Sequence, residues 1–189
     1  VRRPAFRRQL SLSAATRARG LVRPLVISYA GTSVVVAPVA AEASDREVIQ
    51  AGMELIGLDT PEADAEVMSV GAEALSRLGV RDVSFDLTMP PLVPALLEEA
   101  GLPDAQRTKV LRALDRKDAA AVAEHGGALA STLIALLEAS GPAEYAVAQL
   151  AQITLLPGAR AIADRLIDTV AALRERCPDL RMTVDPVGF

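Results

Sequence analysis

The stretch Arg46-Glu47-Val48-Ile49-Gln50-Ala51-Gly52-Met53-Glu54-Leu55-Ile56-Gly57 constrains the chain most, because it reads as a buried strand that carries polar groups. Side chains alternate faces along a strand, so Gln50, Gly52, Glu54 and Ile56 share one face while Ile49, Ala51, Met53 and Leu55 share the other. The second face is uniformly apolar and is expected to rest on a core. The first sets an amide and a carboxylate on either side of a glycine that has no side chain to block a ligand. That is the layout of a pocket floor. The plainer reading is a strand whose polar face meets water.

A strand of this kind needs a core, and 189 residues, 51% of them hydrophobic and 23% charged, are enough to build one. The formal net charge of -4 argues against a general nucleic-acid binder, and no nucleic-acid partner is expected. Arg2, Arg3, Arg7, Arg8, Arg17, Arg19 and Arg23 crowd the amino end. They read as a solvated helix face, with a targeting peptide or an RNA contact as the rival readings. The single cysteine, Cys177, cannot form an internal disulfide, and the single histidine, His125, cannot build a familiar metal site with it. A reducing cytoplasm is the expected setting, with no metal and no cofactor. The longest apolar run, Leu129 to Leu137, falls well short of the ~20 residues of a membrane helix and holds Ser131 and Thr132, so no membrane partner is expected. The chain begins with Val1 and stops at Phe189 just after a strand-like segment, which reads as a fragment of something longer.

Taken in order, residues from about Pro4 to Arg19 predict an amphipathic helix closed by Gly20. Leu25 to Tyr29 and Ser33 to Val36 predict two buried strands or one bent strand, and the second run is expected to pair antiparallel with residues 48 to 56. Thr60-Pro61-Glu62 starts a helix that Gly79 ends. Asp82 to Thr88 alternates cleanly and predicts a strand. Short helices are expected over Leu92 to Glu99, Ala105 to Leu114, Lys117 to Glu124 and Leu129 to Ala139. A longer one follows Pro157, with Ile162, Leu166, Val170 and Leu173 as its apolar stripe. Leu180, Met182 and Val184 return the chain to a strand.

Several of these stretches together resemble histidyl-tRNA synthetases and their non-aminoacylating relatives, the regulatory subunits of ATP phosphoribosyltransferase. They are Gln50 to Gly57 followed by Ala63-Asp64-Ala65-Glu66-Val67, the Tyr29-Ala30-Gly31 opening of motif 2, Arg3-Pro4-Ala5-Phe6, Arg116-Lys117-Asp118-Ala119-Ala120 and Val184-Asp185-Pro186-Val187. The resemblance implies an α/β fold: a largely antiparallel sheet of the class II aminoacyl-tRNA synthetase type, flanked by helices, with a helical insertion. Residues 1–89 and 178–189 would form a partial sheet domain, and residues 90–177 the insertion and a returning helix. It also implies that Gln50, Glu54 and Tyr29 face bound histidine.

The departures from the family pattern bear on activity. The motif 2 arginine that clamps the α-phosphate of ATP in class II synthetases falls at or next to Val35, and valine cannot hold a phosphate. An acidic residue and a threonine of the Arg-Pro stretch align with Ala5 and Arg7. No phosphate loop, nucleophile elbow or His–carboxylate pair is readable, and no catalytic residue is assigned. His125 reads as a helix-end residue, Cys177 as a packed thiol, and Asp82, Asp86 and Asp185 as solvated acids on a sheet face. The expected function is therefore regulatory. The resemblance implies a short-form ATP phosphoribosyltransferase catalytic subunit as partner, self-association, histidine as effector, and a place in the first step of histidine biosynthesis. A partial histidyl-tRNA synthetase and a structural partner without ligand binding stay open as alternatives.

Overall fold

The structure, a computed structural model, describes residues 20–34 and 47–188. The expected helix from Pro4 to Arg19, the loop from Pro38 to Asp45, and the Val35, Ala5 and Arg7 positions lie outside the described residues. The chain forms two compact units, residues 1–63 and 64–189.

In the first unit β1 (Leu25–Val34) is one unbroken strand, and β2 (Glu47–Ile56) pairs with it antiparallel from Leu25 opposite Ile56 to Val34 opposite Glu47. Gly31 sits in mid-strand without ending it. The face expected to rest on a core is covered only in part: Met53 and Leu55 are half-buried, but its other residues are not. Ile49 is 85% exposed and Val26, opposite Leu55, is 59% exposed. Ala30 and Ala51 on that face are exposed too. Gln50, Gly52, Glu54 and Ile56 are half-buried, together with Gly31, Tyr29, Ile27 and Leu25 opposite them. The reason lies in the partner strand. Opposed residues of an antiparallel pair share a face, and β1 places its bulky Leu25, Ile27 and Tyr29 beside the polar residues of β2 and its small Ser28, Ala30 and Thr32 on the other side.

Helix α1 (Pro61–Arg77) opens as its sequence predicts: Thr60 Oγ1 accepts the Ala63 N–H at 3.3 Å, and proline takes the first helical position. Gly79, at φ +77°, closes it with the Val80 N–H bonded to the Leu75 carbonyl at 3.0 Å. A left-handed residue in that place lets two orphan carbonyls find donors, which is why glycine ends this helix.

The second unit is organised around β5 (Arg181–Asp185), which lies between β3 (Ser84–Thr88), parallel to it, and the two-residue β4 (Gly141–Pro142), antiparallel. The sheet is thus mixed, and the parallel pair spans a long crossover through the helices. Alternation holds on both strands: Leu87, Met182 and Val184 are buried and Phe85 half-buried, while Thr183 Oγ1 donates to Asp86 Oδ1 on the opposite face.

The crossover comprises α2 (Leu92–Glu99), α3 (Asp104–Asp115), α4 (Ala119–His125), a 3₁₀ turn (Gly127–Leu129), α5 (Ala130–Glu138), α6 (Ala143–Gln152) and α7 (Pro157–Arg176). Leu92, Leu96, Leu97, Leu114, Leu133, Leu136, Leu150 and Leu173 are fully buried in one core with Met182 and Val184 of the central strand. On α7, Leu166, Val170 and Leu173 are buried as expected, while Ile162 is half-buried and Ala159 and Ala163 begin the stripe instead. Helix α6 was not foreseen as a separate element. It buries Ala143, Ala146 and Leu150 along one face.

Asp118 caps α4, its Oδ1 accepting the Ala121 N–H at 3.0 Å. Asp118→Ala is expected to cost about 1 kcal/mol, since one orphan donor of the first turn loses its acceptor. The check is the midpoint of denaturant unfolding at unchanged m-value, and an unmoved midpoint would show that water replaces the carboxylate without loss.

Candidate functional site

The hairpin brings the three residues singled out from the sequence onto one face. Gly31 stands opposite Gln50, Tyr29 opposite Gly52 and Ile27 opposite Glu54, so a phenol from β1 is inserted between the amide and the carboxylate of β2. The strand backbone fixes this order, because cross-strand neighbours on one face are about 5 Å apart and their register is set by the ladder. Tyr29, Gln50 and Glu54 are each half-buried, partly withdrawn from water yet reachable.

Gly52 is not the open floor that the sequence reading expected. A Cβ built on it would lie 2.6 Å from Tyr29 Oη, 2.7 Å from Cζ and 2.9 Å from Cε1. Real atoms do not approach so closely, so the tyrosine ring occupies the space that the missing side chain leaves. Any side chain at this position would have to push the ring across from it aside. This face of the hairpin thus carries a phenol beside an acceptor carboxylate and an amide that both donates and accepts. That set suits a small polar molecule carrying amine or imidazole N–H groups.

At the carboxyl end of the hairpin, Gly57 (φ +102°) holds the backbone against Arg23, whose Cβ and Cδ would each lie 2.9 Å from an added Cβ.

The remaining candidates are engaged elsewhere. Asp82 pairs with Arg181 at 3.1 Å, and Asp86 accepts from Thr183. Asp185 accepts from Lys117 Nζ at 2.6 Å to both oxygens, from Ser140 Oγ at 3.1 Å and from the Val187 N–H at 3.2 Å. Each acid therefore has its own partner. Lys117 reaches Asp185 from a left-handed conformation, φ +55°, at the end of α3. His125 closes α4, and its carbonyl accepts from Gln106 Nε2 at 2.7 Å. Cys177 is half-buried at the end of α7 against the core.

Among the described residues no three His, Cys, Asp or Glu side chains are grouped to hold a metal, and no helix is long and apolar enough to cross a membrane. Glu144 is held below its ordinary carboxylate value, first by the backbone N–H at the start of α6 and then by Arg174, which donates to its Oε1. The sign follows from the lowered value: this contact supports the fold above the usual carboxylate range and is lost as pH falls through it.

The sequence profile described as Histidyl-tRNA synthetase matches residues 3–189. The chain is 48% identical to the ATP phosphoribosyltransferase regulatory subunit of Gluconobacter oxydans over 99% of its own length and 49% of that protein's. It is 45% identical to that of Paramagnetospirillum magneticum over 95% of its length and 47% of that protein's. The chain thus spans about half the length of the curated relatives it matches. Among solved structures it is similar to an ATP phosphoribosyltransferase regulatory subunit/histidyl-tRNA synthetase from Bacillus halodurans, with TM-score 0.79 at 21% identity, covering 99% of this chain and 50% of that one. It is also similar to a chain of the ATP phosphoribosyltransferase (HisG:HisZ) complex from Thermotoga maritima, with TM-score 0.67 at 19% identity, covering 99% and 65%. These two likenesses show the α/β fold.

Proposed function

The chain belongs to the histidyl-tRNA synthetase family, and from that premise we propose that it is part of the regulatory subunit of an ATP phosphoribosyltransferase, a binding protein and not an amino-acid-activating enzyme. The observation that carries this reading is the 48% identity to the Gluconobacter oxydans regulatory subunit along nearly the whole chain. The sequence supports it further. By the family resemblance, the arginine that a class II synthetase needs on the α-phosphate falls at or next to Val35, and two contacts to the amino acid align with Ala5 and Arg7.

The proposed partner is the catalytic subunit of that transferase, which places the protein in histidine biosynthesis. The proposed effector is histidine, bound at Tyr29, Gln50 and Glu54 on the half-buried face of the hairpin. Its mechanism is coupling: a ligand held more tightly in one state of the assembly shifts the population of states, and that difference in binding free energy reaches the partner's active site.

The test mixes the intact protein with the catalytic subunit. A larger species by sizing at micromolar concentration and a rise in turnover are expected, with histidine-dependent pyrophosphate exchange at background. Separate migration with unchanged turnover would end the regulatory reading, and a robust exchange signal would make the protein a synthetase.

A further inference from the structure

We propose that the cleft between α3 and α4 is a second, anion-binding site that takes the phosphate or diphosphate group of a small metabolite. The cleft holds about 180 Å³ and is walled by Lys109, Arg112 and Arg116 of α3. These three follow one another at i, i+3 and i+7, which puts them on one stripe of the helix. Ala113 is buried and Ala121 half-buried where the two helices meet, and their small side chains leave the hollow open. His125 closes one end, and Asp118 is the one acid in the lining.

Charge is what sets this cleft apart. Lys109, Arg112 and Arg116 have no ion pair or side-chain hydrogen bond among the described residues. Arg107, Lys117, Arg160, Arg165, Arg174 and Arg181 each donate to a carboxylate or a carbonyl, and the other described cations without such a bond, Arg23, Arg81 and Arg176, do not line the cleft. Asp118, whose Oδ1 accepts the Ala121 N–H, keeps its charge and offsets only one of the three cations. The helix dipole accounts for positive charge in the last turn of α3, where Arg112 lies, but not for Lys109 a turn earlier or for the hollow in front of all three. Like charges at these spacings oppose helix formation.

The walls are also held in place. Gln106 Nε2 of α3 donates to the His125 carbonyl at 2.7 Å, the Asp118 cap fixes the start of α4, and Lys117 between the helices is tied to Asp185. These contacts fix the backbone that carries the three cations, whose own side chains are exposed. Two guanidinium groups beside an ammonium match the multiple oxygens of phosphate, which arginine grips in a bidentate fork. Three cations against one acid favour a ligand of charge −2 or more over a single carboxylate. The proposal uses no residue of the hairpin and stands or falls apart from the regulatory reading.

Calorimetric titration of the intact protein with inorganic pyrophosphate at low ionic strength tests it, alongside Arg112→Gln/Arg116→Gln and Arg81→Gln. Arg81 is another exposed arginine, and it lies outside the cleft. The wild type is expected to bind saturably at one site, the double variant at least about tenfold more weakly, and Arg81→Gln as the wild type does. All three positions are exposed, so unchanged thermal midpoints confirm that the variants fold. Absence of saturable binding by the wild type, an equal loss in Arg81→Gln, or comparable binding of succinate in place of pyrophosphate would overturn the assignment.

Discussion

Leu96→Ala is expected to lower the stability of the intact protein by about 2–5 kcal/mol, the loss that follows when a leucine is deleted from a site that cannot collapse. Leu96 is 0% exposed, as are Leu92 and Leu97 beside it in the eight residues of α2. The core it shares with Leu133, Leu136, Leu150 and Leu173 draws on six further helices and two strands, so no single element can shift to refill the space. Burial of such a side chain contributes about 1.5–3 kcal/mol, and the cavity adds to the cost of removing it. Leu78→Ser provides the contrast, because Leu78 is 78% exposed beyond the end of α1 and its loss should fall within about 0.5 kcal/mol. Denaturant unfolding of both variants measures the difference. A loss below about 1 kcal/mol for Leu96→Ala would mean that the core repacks around the alanine.

The weight of that core rests on residues whose role the sequence shows directly. Leu92 to Glu99 is bounded by Pro91 and by Gly101 at φ +70°, and the helix found there has the predicted ends. Asp82 to Thr88 alternates because one side of β3 faces helices and the other does not. Local signals of this kind survive folding because turn chemistry and one-sided burial act on neighbouring residues.

What could not be read depends on distant partners. The parallel pairing of Ser84 with Arg181 joins residues nearly a hundred positions apart. Helix α6 leaves only a weak periodic signal in the sequence, because the methyl groups of Ala143 and Ala146 carry most of its buried stripe. Lys117 adopts a left-handed conformation in a place where glycine is usual, compensated by its bonds to Asp185 far along the chain. On the hairpin, alternation correctly put Gln50 and Glu54 on one face. Ile49 and Ala51 on the other face are exposed because only small residues of β1 stand beside them, and Tyr29 fills the space over Gly52 only because of the register. The cleft beside Arg112 and Arg116 likewise exists only once α3 meets α4.

The same register gives Glu54 its proposed role. It stands opposite Ile27 and next along its face from Gly52, with the Tyr29 ring between it and Gln50. A carboxylate held there by paired backbone can accept from an amine or imidazole N–H with little entropy lost on binding. Glu54→Gln keeps the shape and removes the charge. Loss of a charge-assisted hydrogen bond costs about 1.5–3 kcal/mol, so histidine affinity should fall roughly ten- to a hundredfold. The wild-type affinity itself is expected to be weak, since Ala5 and Arg7 replace two contacts that the family pattern provides. Stability should change by less than about 1 kcal/mol, because Glu54 is half-buried on a two-stranded sheet and not part of the core of residues 64–189. Calorimetric titration of both proteins with histidine separates the outcomes. A tenfold or greater loss with an unmoved unfolding midpoint supports histidine sensing on this strand. Equal affinities, or no binding by either protein, would remove it and leave a partner that acts through its surface alone.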